Sequence, residues 1–464
     1  MAELRQGHYP EQGLRASILH LGTGAFHRAH QAWYLHQLLE QEDSRHWGIC
    51  AVNLRPQDSA AFAQLAAQQG HYCLKTLSPT GEVDYHWIRS LVELVDGAQR
   101  PEAVCQRLAD PAYQLVTLTV TEGGYYLDEQ GNLDRHQPAV SADLNGGFNS
   151  LYGFLYQGLR QRMLAGHGPL TLLSCDNLRH NGARLRRGLS QFIAAKGDQD
   201  LLAWIEQQVS FPNSMVDRIT PRLDPALSTE VRSLFGREDA QPVQAEAFCQ
   251  WVVEDNFRGQ RPPLERVGVT FTADVLSYEE AKIRLLNGGH MALAYSAALK
   301  GYQQVDEAMS DAELVAQLDS YLHEEVIASL PDSPLDLPRY WQSIRARFAN
   351  PYIVDTVSRL CAEGSSKLPI FVLSTLETLL NQGQVPRRGL QILANWYLCL
   401  QRQQQGRLQG SCEDVQLDWL QQLLTGPEPV QRFAHSSELW GSLPSRFPSF
   451  SRTLIELIEQ GAQA

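Results

Sequence analysis

One segment of the chain places a basic, an amide and an imidazole side chain at positions 282, 287 and 290. It reads Lys282-Ile283-Arg284-Leu285-Leu286-Asn287-Gly288-Gly289-His290. If the segment is an α-helix, successive residues turn by about 100°, so Lys282, Asn287 and His290 fall within one sector of roughly 140°. The three side chains could then converge on one small molecule.

The residue types in this segment suit proton transfer from a hydroxyl group. Burial beside apolar neighbours favours the neutral form of Lys282, and a neutral amine is a competent general base. Asn287 and His290 would donate hydrogen bonds to an oxygen that gains negative charge as its proton leaves. An ordinary helix with an exposed lysine, a hydrogen-bonded asparagine and a core histidine has the same spacing. The spacing alone leaves both interpretations open.

A second candidate site lies near the N-terminus, where an apolar run at residues 18–21 precedes Gly22-Thr23-Gly24-Ala25-Phe26-His27 and a predicted helix at residues 28–39. A strand, a glycine turn and a helix in this order hold a dinucleotide pyrophosphate against backbone N–H groups. His27 stands where G-x-G-x-x-G has its third glycine, so the motif is incomplete. A glycine turn without a ligand remains the alternative.

Further strands are predicted at residues 47–54, 114–120 and 169–174, with helices between them. This alternation predicts an α/β fold that begins with a doubly wound, Rossmann-type domain. In such domains the ligand lies at the carboxyl ends of the strands. Four residues of this chain follow or end the predicted strands: Gly22, Asn53, Thr121 and Ser174.

Beyond residue 277 strand signals almost vanish and apolar residues recur with helical spacing. We therefore predict a Rossmann-type dinucleotide-binding domain over residues 1–277 and a mostly α-helical substrate-binding and catalytic domain over residues 278–464. A length of 464 residues agrees with two domains. The predicted helices span residues 278–301, 312–330, 337–349, 371–381, 388–403 and 414–424.

Composition excludes several classes of function. The net charge of −13 argues against nucleic acid or an anionic membrane as a partner, because both require a basic surface. The acidic residues are dispersed, so no metal site is predicted. The eight cysteines form no C-x-x-C pair, the N-terminus lacks an apolar signal core, and no apolar run approaches ~18 residues. These features predict a cytoplasmic protein with reduced thiols.

Four motifs together resemble the polyol-specific long-chain dehydrogenase/reductase family, the mannitol dehydrogenase group. They occupy residues 21–32, 174–182, 211–221 and 282–290, in the family's order and spacing. Residues 31–36, 122–128 and 176–182 are most similar to the subfamily that oxidises D-arabinitol. Residues 48–54 look more like the fructuronate reductases.

The resemblance implies a role for each side chain of the first candidate site. Lys282 would be the general base, while Asn287 and His290 would stabilise the alkoxide and orient the carbonyl oxygen. Asn177 would supply a second amide to the same oxygen. A dinucleotide-binding sensor that has lost turnover is the alternative class of protein, and the intact lysine, asparagine and histidine set favours an enzyme.

The resemblance also implies contacts to the rest of the substrate. Arg359 and Lys367 would bind hydroxyls of an open-chain sugar, although a C-terminal helix salt bridge is the alternative for both. Glu279 and Glu122 would relay the lysine's proton to solvent. The expected reaction is oxidation of D-arabinitol to D-xylulose, or of D-mannitol to D-fructose. Reduction of fructuronate or tagaturonate is the alternative.

The cofactor implied by the resemblance is NAD, bound by a set of residues around the glycine turn and the nicotinamide: Gly22, Gly24, Ala25, Phe26, Arg28, Asn53, Val216 and Asp217. Arg55 follows the second strand, where a plain acidic residue would favour NAD. Because Arg55 could accept a 2′-phosphate, NADP is not excluded. The family resemblance and the lack of a coiled-coil heptad favour a monomer or weak oligomer. His27, His30 and His180 are expected to be structural and not metal ligands.

Overall fold

A computed structural model describes residues 2–10, 12–128, 130–221 and 224–463. The chain forms two compact units, Met1–Val275 and Leu276–Ala464. This division lies close to the predicted one between residues 277 and 278.

The N-terminal unit is built around one parallel sheet. The strands of its described residues are β1 Leu4–Gln6, β2 Ala16–Leu21, β3 Gly48–Asn53, β4 Tyr72–Leu77, β5 Val83–Ile88, β6 Leu91–Asp96, β7 Leu115–Leu118, β8 Leu170–Ser174, β9 Val209–Ser210, β10 Ser214–Asp217, β11 Val243–Glu246, β12 Gln250–Glu254 and β13 Thr270–Thr272. The main sheet has the order β6-β3-β2-β7-β8-β9. Counted along the chain this is 3-2-1-4-5-6, the order of the Rossmann fold, and the predicted fold class is confirmed.

Helices cover both faces of this sheet. Those of the described N-terminal residues are α1 Ala25–Ala29, α2 Gln31–Leu38, α3 Ser59–Ala67, α4 Pro101–Ala109, α5 Pro138–Leu144, α6 Leu151–Leu164, α7 Asn181–Lys196, α8 Gln199–Gln208 and α9 Ala226–Phe235. Alternate residues of each strand enter opposite cores: Leu19 and Leu21 pack on one face and Ile18 on the other. Burial on both faces explains why β2, β3, β7 and β8 are almost continuously apolar. All four were predicted.

Two smaller sheets were not predicted. One has the order β1-β5-β4-β11, and the other has the order β10-β12-β13. Strands β4 and β5 pair antiparallel across a turn at Gly81, whose φ is +85°. Residues 78–81 read Ser-Pro-Thr-Gly between two β-rich runs. Turn residues between two such runs are a hairpin signal, so this pair of strands could have been predicted from the sequence.

The helix predicted at residues 28–39 is wrong in its start and its continuity. It begins at Ala25 as α1 and is interrupted at His30, whose φ of −117° and ψ of −84° are not helical, before α2 starts at Gln31. The His30 ring explains why the break is stable, because its Nε2 lies 2.8 Å from the carbonyl oxygen of Gln250.

The C-terminal unit is helical, as predicted, and its described residues contain no strand. The helices from the domain boundary onward are α10 Val275–Ala281, α11 Gly288–Lys300, α12 Val305–Ala308, α13 Ala312–Tyr321, α14 Leu337–Phe348, α15 Val357–Cys361, α16 Gly364–Phe371, α17 Leu373–Asn381, α18 Arg387–Gln404, α19 Leu417–Leu424, α20 Pro429–Ala434, α21 Ser437–Trp440, α22 Leu443–Arg446 and α23 Pro448–Gln463. Helix α23 packs on α18. Across the described residues, no helix combines the length and apolarity needed to cross a bilayer.

Candidate active site

The lysine segment is helical, but it is not the α-helix that the sequence predicted. Residues Lys282–Asn287 form a π-helix between α10 and α11, so the three elements make one continuous helix. Backbone bonds in a π-helix join residues five apart, not four. Lys282 and Asn287 are five residues apart, so the angle between them around the helix axis is smaller than it would be in an α-helix. Insertions of this kind are frequent at functional sites.

Lys282 is a buried residue in a run of mostly apolar, buried residues. Its exposed fraction is only 7%, and Ile283, Leu285 and Leu286 are also buried. Removing an amine from water disfavours its charged form. This burial contradicts the alternative of an exposed lysine, and the use of Lys282 as a base stays a prediction.

Sequence reasoning missed a second buried cation in the same segment. Arg284 is buried; its Nε donates to Thr375 Oγ1 at 3.0 Å, and its Nη2 donates to Ser329 Oγ. Thr375 lies on α17 and Ser329 follows the second π-helix, Leu322–Ile327. Arg284 therefore ties the lysine segment to two neighbouring elements. A run of Lys-x-Arg beside apolar residues is the only signal that could have suggested it.

The imidazole of the predicted site is held by an aromatic ring. His290 stacks on Phe348 of α14, with ring centroids 4.2 Å apart and planes 15° from parallel. His290 and Asn287 are both half-buried, so each remains accessible to a ligand. The ring stack restrains the plane of the imidazole.

The two predicted substrate cations lie on neighbouring short helices. Arg359 on α15 forms a two-point ion pair with Asp355, with Nε 2.6 Å from Oδ1, and its side chain is 62% exposed. Lys367 on α16 donates to the carbonyl oxygens of Arg359 and Leu360 at 3.3 and 3.4 Å. Burial, and then the Arg359 charge, lower the pKa of Lys367. Arg359 is thus engaged in the salt bridge that was its alternative interpretation.

Packing brings these helices to the lysine segment. Helix α16 contacts the π-helix directly, and α11 contacts α15. Glu279, on α10, lies three residues before Lys282 and is buried. The C-terminal unit therefore assembles the elements of Lys282, Asn287, His290, Arg359 and Lys367. Asn177 and Glu122 belong to the N-terminal unit, and their approach to Lys282 stays a prediction.

The N-terminal unit holds a cavity of about 370 Å³ at the carboxyl ends of β2, β3 and β7. Its lining includes most of the predicted cofactor residues, together with parts of three strand-end loops: Gly22, Thr23, Gly24, Ala25, Arg28, Asn53, Leu54, Arg55, Asp58, Thr119, Val120 and Thr121. The strand order reverses between β2 and β7, which is where Rossmann-type domains bind dinucleotides.

Gly22 and Gly24 of the turn differ in whether a side chain could be accommodated. Gly22 has a φ of +97°, and a Cβ built on it would lie 2.1 Å from the carbonyl oxygen of Thr119. A Cβ on Gly24 would meet no atom within 4 Å, and Gly24 is exposed at the cavity. Gly22 is therefore required by the fold itself. Gly24 keeps the backbone open to a ligand, so the residues present fit a dinucleotide.

Side chains at the cavity are held by the protein. Asn53 donates to the carbonyl oxygen of Arg55 and to Asp96 Oδ1, both at 3.0 Å. Arg28 Nη1 donates to the carbonyl oxygen of Gln241, and its guanidinium lies 5.2 Å from the Tyr72 ring centroid. These contacts keep the wall in place before any ligand binds.

Three predicted cofactor residues lie outside the lining of this cavity. Phe26 stacks on His30, with centroids 5.1 Å apart. Val216 and Asp217 are buried on β10, in the three-stranded sheet. A larger cavity of about 700 Å³ lies in the C-terminal unit between α11, α13 and α18, and its lining includes none of the predicted site residues.

Histidines near the glycine turn pack in the core. The rings of His20 and His27 stack with centroids 3.3 Å apart, and both are fully buried. In the described parts of the chain, no group of three or more histidine, cysteine or acidic side chains is arranged to hold a metal ion.

A Rossmann-type unit with a cavity at its strand-order reversal, followed by a helical unit with a buried lysine, defines the architecture of a two-domain dinucleotide-dependent dehydrogenase. The chain belongs to the mannitol dehydrogenase family. Residues 16–266 match the mannitol dehydrogenase Rossmann domain, and residues 274–451 match the mannitol dehydrogenase C-terminal domain.

Relatives within this family agree with the predicted chemistry. D-arabinitol 4-dehydrogenase of Ralstonia nicotianae is 43% identical over 92% of this chain and 93% of its own. The mannitol 2-dehydrogenase of Pseudomonas fluorescens, solved as a ternary complex with NAD and D-mannitol, is 37% identical with a TM-score of 0.85, over 98% of this chain and 94% of its own. A D-sorbitol dehydrogenase in substrate-free form is 33% identical with a TM-score of 0.91, over 99% and 96%.

Proposed function

We propose that the protein oxidises a secondary alcohol of a linear polyol, D-arabinitol to D-xylulose or D-mannitol to D-fructose, with NAD as hydride acceptor. The observation that carries this proposal is the buried Lys282 in a π-helix that also presents Asn287 and leads into His290. The family's named activities support the substrate class.

The residues act on the proton and the oxygen. Bound NAD supplies a hydride acceptor at C4 of its nicotinamide ring. Neutral Lys282 takes the proton of the reacting hydroxyl, and Asn287, His290 and Asn177 donate hydrogen bonds to the alkoxide oxygen. By analogy with oxyanion holes, each donor contributes about 2.7–4 kcal/mol to lowering the barrier. Glu279 and Glu122 pass the lysine's proton on to solvent.

The preference for NAD over NADP has a structural argument. Arg55 and Asp58 line the cavity and pair with each other, with Arg55 Nε 2.6 Å from Asp58 Oδ2. The pair adds little net positive charge, and the Asp58 carboxylate opposes a 2′-phosphate. We expect measured affinity for NADH to exceed that for NADPH.

The ion pair of Arg359 also bears on the substrate. Asp355 already occupies the guanidinium with two hydrogen bonds, so an anionic uronate would meet a carboxylate beside the cation that should bind it. A neutral polyol does not meet this repulsion, and its hydroxyls can bond to both members of the pair. This favours polyol oxidation over uronate reduction.

The decisive experiment is a substrate panel. Purified protein is assayed for oxidation of D-arabinitol, D-mannitol and D-sorbitol with NAD and with NADP, and for reduction of D-fructuronate with NADH. We expect the highest kcat/KM with D-arabinitol or D-mannitol and NAD, and Arg359→Ala should raise KM for the polyol far more than for NAD. Reduction of D-fructuronate at least about a hundredfold more efficient than any polyol oxidation would overturn the substrate assignment.

The acidic net charge and the eight free thiols support a cytoplasmic enzyme without a nucleic-acid partner. We propose that it acts as a monomer or weak oligomer, and sedimentation velocity across a hundredfold range of concentration tests that.

A further inference from the structure

The carboxylate of Asp176 joins two loops at the end of the parallel sheet. Its Oδ1 accepts from the backbone N–H of Thr121 at 2.8 Å, and its Oδ2 accepts from the N–H of Val120 at 3.1 Å. The hydroxyl of Tyr125 donates to the same Oδ2 at 2.7 Å. Asp176 follows β8, whereas the three donors follow β7. We call residues 119–126 the β7 loop and residues 175–180 the β8 loop. The side chain of Asp176 thus holds the β7 loop against the β8 loop.

This contact sits in the protein interior. Asp176 is only 6% exposed, and Tyr125 is fully buried. The Tyr125 hydroxyl also lies 2.5 Å from Ser174 Oγ, so the carboxylate, the phenol and the serine form one chain of hydrogen bonds. Burial raises the pKa of Asp176, and the bonds from Tyr125, Val120 and Thr121 oppose that rise.

The β7 loop needs such a restraint because its backbone is strained. Thr121 has a φ of +64° and a ψ of 166°, and Tyr126 has a φ of +48°. Non-glycine residues, and β-branched ones above all, avoid positive φ, so such a conformation persists only where the surroundings impose it. The bond from Thr121 N–H to Asp176 is a direct local means of imposing it.

The two loops carry residues of the proposed reaction. Glu122 directly follows Thr121, Asn177 directly follows Asp176, and Val120 and Thr121 line the dinucleotide cavity. We propose that Asp176 is a positioning residue that fixes Glu122 and Asn177 for catalysis by clamping the β7 loop to the β8 loop. The catalytic part of this inference rests on the proposed function.

Two substitutions separate the clamp from general packing. Asp176→Asn keeps the shape but replaces one acceptor oxygen with an NH₂ group, so one backbone N–H loses its partner and faces another donor. Tyr125→Phe removes two hydrogen bonds of the same buried network, to Asp176 and to Ser174, and leaves both backbone bonds to Asp176 intact. It is therefore the matched control for loss of buried polar contacts.

The kinetic experiment measures kcat and KM for polyol oxidation across pH, after correction for the folded fraction. We expect Asp176→Asn to lower kcat at least about tenfold with a changed pH profile, because the relay carboxylate and the oxyanion amide lose their fixed placement. Tyr125→Phe should retain kcat within about threefold. Equal losses in the two variants, or a kcat for Asp176→Asn near that of the wild type, would overturn the proposal.

Hydrogen exchange tests the clamp without any activity. In the wild type the amides of Val120 and Thr121 should exchange slowly, and in Asp176→Asn at least about tenfold faster. If Asp176→Asn does not fold, the wild-type measurement decides, because exchange at Thr121 as fast as at exposed Gly123 would overturn the clamp. A wild type that turns over no polyol but protects both amides would refute the proposed function and leave the clamp standing.

Discussion

At the scale of single residues, the proposed mechanism gives Lys282 the most specific role. In that mechanism Lys282 moves a proton and does not hold the nucleotide, so Lys282→Ala should fold and bind NADH normally while kcat for polyol oxidation falls about 10²–10⁴-fold. Circular dichroism, fluorescence titration of NADH and steady-state rates measure the three properties.

Lys300 offers a matched control, because it ends α11 on the same continuous helix. Its amine is paired with Asp311 and Glu313 at the surface, so Lys300→Ala should retain kcat. Near-normal turnover in Lys282→Ala would remove the lysine from the mechanism.

Gly24 tests the dinucleotide cavity with little risk to the fold. Because a Cβ there meets no protein atom within 4 Å, Gly24→Val should fold, and its branched side chain should block the backbone's approach to phosphate. We expect the Kd for NADH to rise at least about tenfold.

Gly168→Val is the control for that substitution, since Gly168 also has open space around it and lies outside the cavity. It should leave the Kd unchanged. Unchanged affinity in Gly24→Val would mean that the glycine turn has only a structural role.

At the scale of elements, the sequence predicted those strands and helices whose apolar residues follow a regular pattern. The buried parallel strands were found because two covered faces require unbroken apolar runs, as in β3 and β8. The π-helix was not found, because one extra residue per turn barely alters the apolar pattern of residues 282–290. The clamp of Asp176 was also missed, since its donors are backbone N–H groups more than fifty residues away in sequence.

The start of α11 is sensitive to added volume. A Cβ at Gly288 would lie 3.0 Å from the carbonyl oxygen of Phe371, whereas a Cβ at Gly289 would lie 3.5 Å from Leu322 and Phe348. Gly288→Ala should therefore displace the π-helix against α16 and lower kcat about tenfold or more, measured at saturating substrates. Gly289→Ala should have a smaller effect, and equal effects would show that this contact does not set the lysine's position.

At the scale of the whole molecule, buried histidines predict acid sensitivity. Burial lowers the pKa of His20 from 6.5 to about 3, and burial followed by the His20 charge lowers that of His27 well below 6.5. The unfolded chain takes up protons at these sites as pH falls below 6.5, while the folded chain does not. Each histidine then costs about 1.4 kcal/mol of stability per pH unit between those limits.

Urea unfolding at pH 7.5, 6.0 and 5.0 measures this loss. The midpoint should fall with pH in the wild type and fall less steeply in His27→Phe, which keeps a ring beside His20. His136 is exposed, so His136→Gln should follow the wild type. A wild-type midpoint that is constant from pH 7.5 to 5.0 would contradict the assignment.

All eight cysteines are free thiols, and seven are buried while Cys249 is half-buried. In the native protein a thiol reagent therefore has access to Cys249 at most, and unfolding exposes the seven buried thiols together. A chromogenic disulfide added in excess would record the rate of unfolding without any engineered label. Unfolding in air should be irreversible, because the exposed thiols form disulfides between chains before the chains can refold. Reductant should therefore lengthen the shelf life of the purified enzyme.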